Sequence, residues 1–435
     1  MLDNLLVAAI IGLLVLAWRF FKSAKPSPPS STDTKPAEPY RFPPVTALRD
    51  HDVKALEAEK PIAFRPFKYN YPQTMGIRNL PSYDDWLHID GQYSHMLEVR
   101  TRRTRGTDPE LRSTATQPGF HAHALEALCE LASFLSTRFP QLFKVKRTPY
   151  VPGDESTYGD SIVGIEGGAI VSVENCVTGE RWDFKEIEAK EGKEWDPFKI
   201  AGLLTQDDLV LMVEDPTADG QYRFRAGSVC TAGFWKLNDK LGMTLDEIHF
   251  SGSMPDYADK YQKSMNRFFT NMKEDKIVER NNYFFQVNDG YDWATSNLGT
   301  EQIFDQFDKV AKPGMLETFP GAVGPTPATD ISQIRFRTER QTLRRMPRTR
   351  GILFTVRTYM WPLVDIADEP GVPGRLASGF RHWPDKGKKS VKWFKSASKY
   401  EHIILPFLDQ KHEEQVRNGV IVLDEKGHAP HNYPY

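Results

Sequence analysis

Two apolar runs separated by a short polar connection set the first limit on the fold. DDLVLMVED (residues 207–215) and QYRFRAGSVC (residues 221–230) are rich in strand-forming side chains. They meet through DPTADG, whose Pro, Asp and Gly favour a tight turn. A connection this short leaves no room for a crossover helix, so the two runs pair antiparallel. Further strand-like runs follow: DSIVGIEGGAIVSVEN with a turn at Gly167–Gly168, NNYFFQV, the cleanly alternating ISQIRFRTE, and GILFTVRTYM. Between them lie helical patterns, FHAHALEALCELASFLSTRF (residues 120–139, stopped by Pro140) and the amphipathic YADKYQKSMNRFFTNM (residues 257–272). Strands mixed with helices, several of them joined as hairpins, point to an α+β fold around an antiparallel sheet rather than a doubly wound parallel one.

The N-terminus differs in kind. LLVAAIIGLLVLAW (residues 5–18) is unbroken apolar sequence, and its positive charges, Arg19, Lys22 and Lys25, follow it instead of preceding it. That pattern is expected of a single-pass anchor whose C-terminal flank stays cytosolic, on the endoplasmic reticulum most naturally, rather than of a cleaved signal peptide. The Pro/Ser-rich stretch after it reads as a linker. The expected organisation is a transmembrane helix at residues 1–22, a linker at 23–44 and a folded domain with a C-terminal extension at 45–435.

Composition excludes several functions. A net charge of −2 gives no general case for nucleic-acid binding. The three cysteines, Cys129, Cys176 and Cys230, are far apart and form no CxxC or Cys/His cluster, so they read as free thiols in a reducing compartment. The chain contains no GxGxxG after a strand, no P-loop, no HExxH and no GxSxG. It therefore shows no site of its own for NAD, FAD or ATP. Cys230 as a thiolate haem ligand is the weaker reading beside a small core residue.

Two places remain that carry chemistry. His249, in LGMTLDEIHFSGSMPDY, follows an apolar-spaced segment and precedes a Gly-Ser-Met-Pro turn. Periodicity favours a packing histidine there over a ligand. His121 and His123 point to different faces of a helix and make no joint metal site. Residues 335–359 are dense in arginine, and Arg335, Arg337, Arg340, Arg344, Arg345, Arg348 and Arg350 are expected between two apolar strands, with Thr338 and Gln341 spaced like a capping box. Arginine on a rigid element suits carboxylate or phosphate recognition, and a structural ion-pair network with Glu339 accounts for it equally well.

Several segments together resemble one family. They are RPFKYNYPQTMGIRNLPSYDDWLHIDGQY, LLTQDDLVLMVED, RFRAGSVCTAGFWKLNDKLGMTLDEIHFSGSMPDY, SMNRFFTNM with ERNNYFFQ, and RTERQTLRRMPRTRGILFTVRTYMWPL. Their order resembles the fungal relatives of the alpha subunit of haem-dependent oxidative N-demethylase, also called the HRQ family. The resemblance implies a PAS-like antiparallel sheet with flanking helices that holds a b-type haem. It places the family's histidine on His249 as proximal iron ligand and its Arg and Gln on Arg340 and Gln341. Arg340 is then a candidate for a haem propionate or bound oxygen, Gln341 for orienting substrate or a pocket water, and Arg344 for a second cofactor contact. The implied reaction oxidises a small methylated amine with dioxygen, giving formaldehyde. Since the chain has no flavin or iron-sulfur motif, electrons come from an external flavin reductase or ferredoxin-type donor. The basic stretch at residues 385–399 is a candidate docking site for it. The alternatives from other classes are a PAS-type haem or ligand sensor and a membrane-tethered binding protein without turnover.

Overall fold

In the computed structural model the described residues are 40–70, 74–105, 113–151, 160–163, 167–189, 195–293, 327–385 and 390–428. Ten strands lie among them. They are β1 (Arg78–Asn79), β2 (Thr114–Thr116), β3 (Phe143–Arg147), β4 (Ile170–Asn175), β5 (Glu180–Asp183), β6 (Asp208–Asp215), β7 (Gln221–Ser228), β8 (Val278–Gln286), β9 (Arg335–Arg345) and β10 (Ile352–Pro362). The main helices are α1 (Tyr93–Arg105), α2 (His121–Arg138), α3 (Pro197–Leu204), α4 (Leu245–Ser251), α5 (Gln262–Asn271), α6 (Val372–Arg381) and α7 (Glu401–Arg417).

Seven strands form one sheet in the order β1-β8-β9-β10-β6-β7-β2, and every neighbouring pair in it is antiparallel. The expected hairpin of β6 and β7 is present, with Asp215 accepting from the Thr217 backbone to hold the turn. Five strands, β6 to β10, make the middle of the sheet, and the chain between β7 and β8 supplies α4 and α5. The PAS-like expectation concerns this five-strand unit. A second antiparallel sheet, β3-β4-β5, packs with α2.

Strand alternation divides the large sheet into two faces. On one, Leu209, Leu211, Val213 and Leu353 join α2 and α3 in the largest apolar cluster. The aromatic residues Tyr283, Phe285 and Phe336, farther along the same face, pack on α6 and α7. On the other, Val210, Met212, Phe224, Leu343 and Ile352 pack with Leu245 of α4 and Met265 and Phe269 of α5. Register fixes which residues share a face, because directly paired residues point the same way.

Three expectations are corrected. Most of the arginine run does not lie between two strands: Arg335 to Arg345 are inside β9, where Arg337, Arg340, Arg344 and Arg345 are buried, and only Arg348 and Arg350 fall in the connection to β10. Their counter-charges and carbonyl partners come from distant parts of the chain, Glu279 for Arg340 and Glu130 for Arg344. Thr338 and Gln341 consequently sit mid-strand and form no capping box. Finally, the transmembrane helix in the expected fold, and the single-pass endoplasmic reticulum placement drawn from it, do not stand. No helix among the described residues is long and apolar enough to cross a membrane. The longest, α2, carries Glu126 and Glu130 along its length. The run at residues 1–22 on which both expectations rested lies outside the described residues.

Candidate functional site

The α4 face of the large sheet is incompletely covered at its centre. β10 is the middle strand of seven, yet its side chains Phe354 and Val356 are partly exposed on this face. Register sets Val356, Gln341 and Arg280 side by side across β10, β9 and β8, and Thr358, Glu339 and Asn282 in the next row. Glu339, Arg280 and Asn282 are likewise partly exposed. Among the described residues, this partial exposure over central strands marks a candidate cleft with an apolar floor at one end and a polar floor at the other. Such concave, mostly apolar sites with a few placed polar groups are where ligands bind.

His249 stands on α4 on this side. A capping box starts the helix: Thr244 Oγ1 accepts from the Glu247 backbone N–H at 3.2 Å, and Glu247 Oε2 accepts from the Thr244 N–H at 2.7 Å. Nδ1 of His249 lies 2.7 Å from the Leu245 carbonyl one turn back. A carbonyl only accepts, so Nδ1 carries the proton and Nε2 keeps its lone pair. Nε2 has no hydrogen-bond partner among the described residues. Desolvation pushes the imidazole down to about 4; the Leu245 carbonyl opposes this, and the Lys240 and Arg280 charges add to it. The ring is therefore neutral at physiological pH. A neutral imidazole with a fixed tautomer and one open nitrogen is what a single-histidine metal ligand requires. The loop after α4 stays close, with Met254 N–H donating to the His249 carbonyl at 3.0 Å and the Met254 side chain packing on the α5 cluster.

Gln341 shares this face. It is 8% exposed and its Nε2 donates to Glu339 Oε2 at 3.2 Å. Beneath them Arg337 is fully buried, with Nε 3.6 Å from Glu339 and Nη2 donating to the Thr231 carbonyl. Arg340 and Arg344 point to the opposite face. Arg340 donates from Nε to Glu279 at 3.0 Å, and from its terminal nitrogens to the Trp86 and Asp85 carbonyls at 3.2 and 2.5 Å. Arg344 donates to Glu130 at 2.7 Å and Ser161 at 2.8 Å, with its guanidinium between the rings of Phe42 and Trp86. The structure thus brings His249 and Gln341 to one side and separates both from Arg340 and Arg344. Cys230 is buried below the sheet end, its backbone N–H donating to Asp208 and its thiol pushed up by desolvation. Among the described residues no group of three or more His, Cys, Asp or Glu is placed to hold a metal ion. A haem iron needs only one such ligand.

Sequence reasoning passed over Arg280, Asn282 and Lys395. The first two alternate along β8 within ERNNYFFQ, so period-2 counting exposes them. Lys395 lies in the basic stretch considered for docking. It is 3% exposed, and its Nζ donates to the Tyr283 carbonyl at 2.6 Å and Asn282 at 3.3 Å. There β1 no longer covers β8, so Lys395 closes an open sheet edge. Lys392 pairs with Glu401, so two lysines of that stretch face internal partners. Burial pushes the Lys395 ammonium down from 10.5 to about 7, against the pull of Glu339 and together with Arg280. Between those two values the unfolded chain holds a proton that the folded protein has released. Stability then rises with pH, by about 1.4 kcal/mol per unit inside that window. Urea unfolding of wild type and Lys395→Met at pH 7 and 9 measures it. Equal slopes in the two proteins would show that Lys395 stays charged.

Residues 76–405 match the model of a family described as haem-dependent oxidative N-demethylase, alpha subunit-like. The match takes in both sheets, α1 to α6 and the start of α7.

Proposed function

The chain belongs to that family, which makes it a haem-dependent oxidoreductase, and on that premise we propose that the α4-face cleft holds a b-type haem ligated by His249. The observation that carries the assignment is the pairing of an open, neutral Nε2 with an uncovered apolar floor at Phe354 and Val356. Arg280 stands beside Gln341 in register and within electrostatic reach of His249, where it suits a haem carboxylate.

Bound in the cleft, the haem supplies the oxidising chemistry with dioxygen that converts an N-methyl amine to the demethylated amine and formaldehyde. The protein's own groups do the remaining work. His249 would hold the iron through Nε2, with its Nδ1–H kept on the Leu245 carbonyl. Glu339 offers the cleft a carboxylate that accepts N–H bonds from a cationic amine. Gln341 steadies that carboxylate through its amide and keeps an amide oxygen for a second contact. Arg340 and Arg344 act behind the strand: they tie β9 to β8, to residues 85–86 and to α2, and so hold Gln341 and Glu339 in place. Electrons reach the site from an external flavin reductase or ferredoxin-type donor.

The test is haem titration of the full chain, with formaldehyde release from small methylated amines under an artificial reductant. Val356→Trp is the control, because an indole on the β10 floor takes up space there while His249 itself is kept. Wild type is expected to bind haem stoichiometrically and release formaldehyde, and the variant to bind at least about ten-fold more weakly while keeping its fold. Equal binding by the two proteins would move the haem out of this cleft.

A further inference from the structure

The fold spends an unusual number of polar groups on one carboxylate beside His249. Asp246, three residues before it on α4, is 8% exposed and accepts four side-chain hydrogen bonds. Tyr257 Oη and Asn266 Nδ2 donate to Oδ1 at 2.7 and 2.9 Å; Gln262 Nε2 and Gln221 Nε2 donate to Oδ2 at 2.6 and 3.0 Å. The donors come from β7, from α5 and from the turn between α4 and α5. A core built for stability alone is served as well by apolar residues, whereas a fully satisfied buried polar network specifies one arrangement.

The turn shows which arrangement is specified. After Gly252 ends α4, Ser253 and Asp256 both adopt positive φ, 52° and 56°, a region costly for side-chain-bearing residues. A single π-helical turn, Tyr257–Tyr261, then leads into α5. Such turns recur at functional sites. Their joint effect is to return the Tyr257 ring over His249, with centroids 4.6 Å apart and planes 5° from parallel. Phe250 meets Tyr257 edge-on at 5.1 Å. The Nδ1 hydrogen bond to Leu245 is a single contact that bends and breaks as the ring turns about its Cβ–Cγ bond. A parallel aromatic neighbour removes that freedom.

We infer that Tyr257, clamped through its hydroxyl by Asp246, is the positioning residue for His249, holding the imidazole plane so that Nε2 faces the cleft. The inference rests on the reading of His249 as the haem ligand, yet the restraint exists in the haem-free protein and is measured there. The full chain is labelled with 15N-histidine, and the His249 ring nitrogens are followed by NMR in wild type, Tyr257→Leu, Tyr257→Phe and Asp246→Asn. Wild type is expected to show one sharp, Nδ1-protonated tautomer. Tyr257→Leu is expected to average between tautomers. Tyr257→Phe, which keeps the ring and loses the clamp, and Asp246→Asn are expected to fall between.

In haem-loaded protein, Tyr257→Leu is expected to release haem about ten-fold faster, the effect of removing a residue that orients a metal ligand. Its ferric EPR spectrum is expected to spread over several ligand orientations, which a general loss of stability does not produce. An unchanged His249 tautomer in a folded Tyr257→Leu overturns the inference, whatever the haem result. Should Tyr257→Leu not fold, Tyr257→Phe and Asp246→Asn decide by the same signal. A wild type that takes up no haem overturns the ligand reading and leaves the NMR result to judge the restraint.

Discussion

Glu130→Ala is expected to cost about 3–5 kcal/mol of folding stability, the range for stranding one member of a buried ion pair. Glu130 on α2 and Arg344 on β9 are both fully buried, 2.7 Å apart and 214 residues apart in sequence. Glu130 also accepts from the Ser161 backbone N–H and hydroxyl, each at 2.7 Å. Its removal orphans that N–H and leaves the Arg344 charge uncompensated, with only the Ser161 hydroxyl still accepting from it. Arg344 cannot adapt, since Phe42 and Trp86 pack on its guanidinium at 4.3 and 4.4 Å. The paired replacement Glu130→Leu with Arg344→Met restores most of the loss, because two apolar groups of similar length fill the same space. Urea unfolding of the two variants against wild type gives the comparison. A cost below about 1 kcal/mol for the single variant would show that the pair is solvated.

The same pair explains what the sequence concealed. Strands could be read because their period is two: the second half of ISQIRFRTE begins β9, after a 3-10 turn at Ile331–Gln333, GILFTVRTYM became β10, and the 207–230 hairpin formed as expected. Helix α2 emerged from an unbroken apolar periodicity ended by Pro140. The arginines of β9 defeated the reading because burial of a charge depends on a partner, and here the partners are far away along the chain. Thr338 and Gln341 had capping-box spacing, but spacing without a helix means nothing. The cleft was illegible for a different reason. It is made where cover is missing over Phe354 and Val356, and no residue announces a neighbour's absence. The placement of His249 with Gln341, and apart from Arg340, follows from strand alternation once β9 is known to run unbroken from 335 to 345. The Tyr257 stack was masked by reading residues 257–272 as one regular helix, which the π turn interrupts.

His249→Ala is expected to abolish the Soret absorbance and, with it, formaldehyde release. His249 stands on α4, on the cleft side of the sheet, whereas His121 and His123 start α2 on the opposite side. Without the His249 imidazole the cleft would lose the group proposed to hold the iron. The variant should fold, since the lost contacts are one hydrogen bond to Leu245 and one stack on Tyr257. Loss of one buried hydrogen bond costs about 1 kcal/mol, well inside the margin of a typical domain. The space left beneath Tyr257 matches free imidazole, so adding imidazole to the variant should bring back part of the Soret band. That recovery separates removal of a ligand from collapse of the cleft, and Val356→Trp gives the converse, a cleft blocked while the ligand remains. A Soret band of unchanged position and intensity in His249→Ala would require the iron to be held elsewhere, and the neutral imidazole on α4 would then be a packing residue after all.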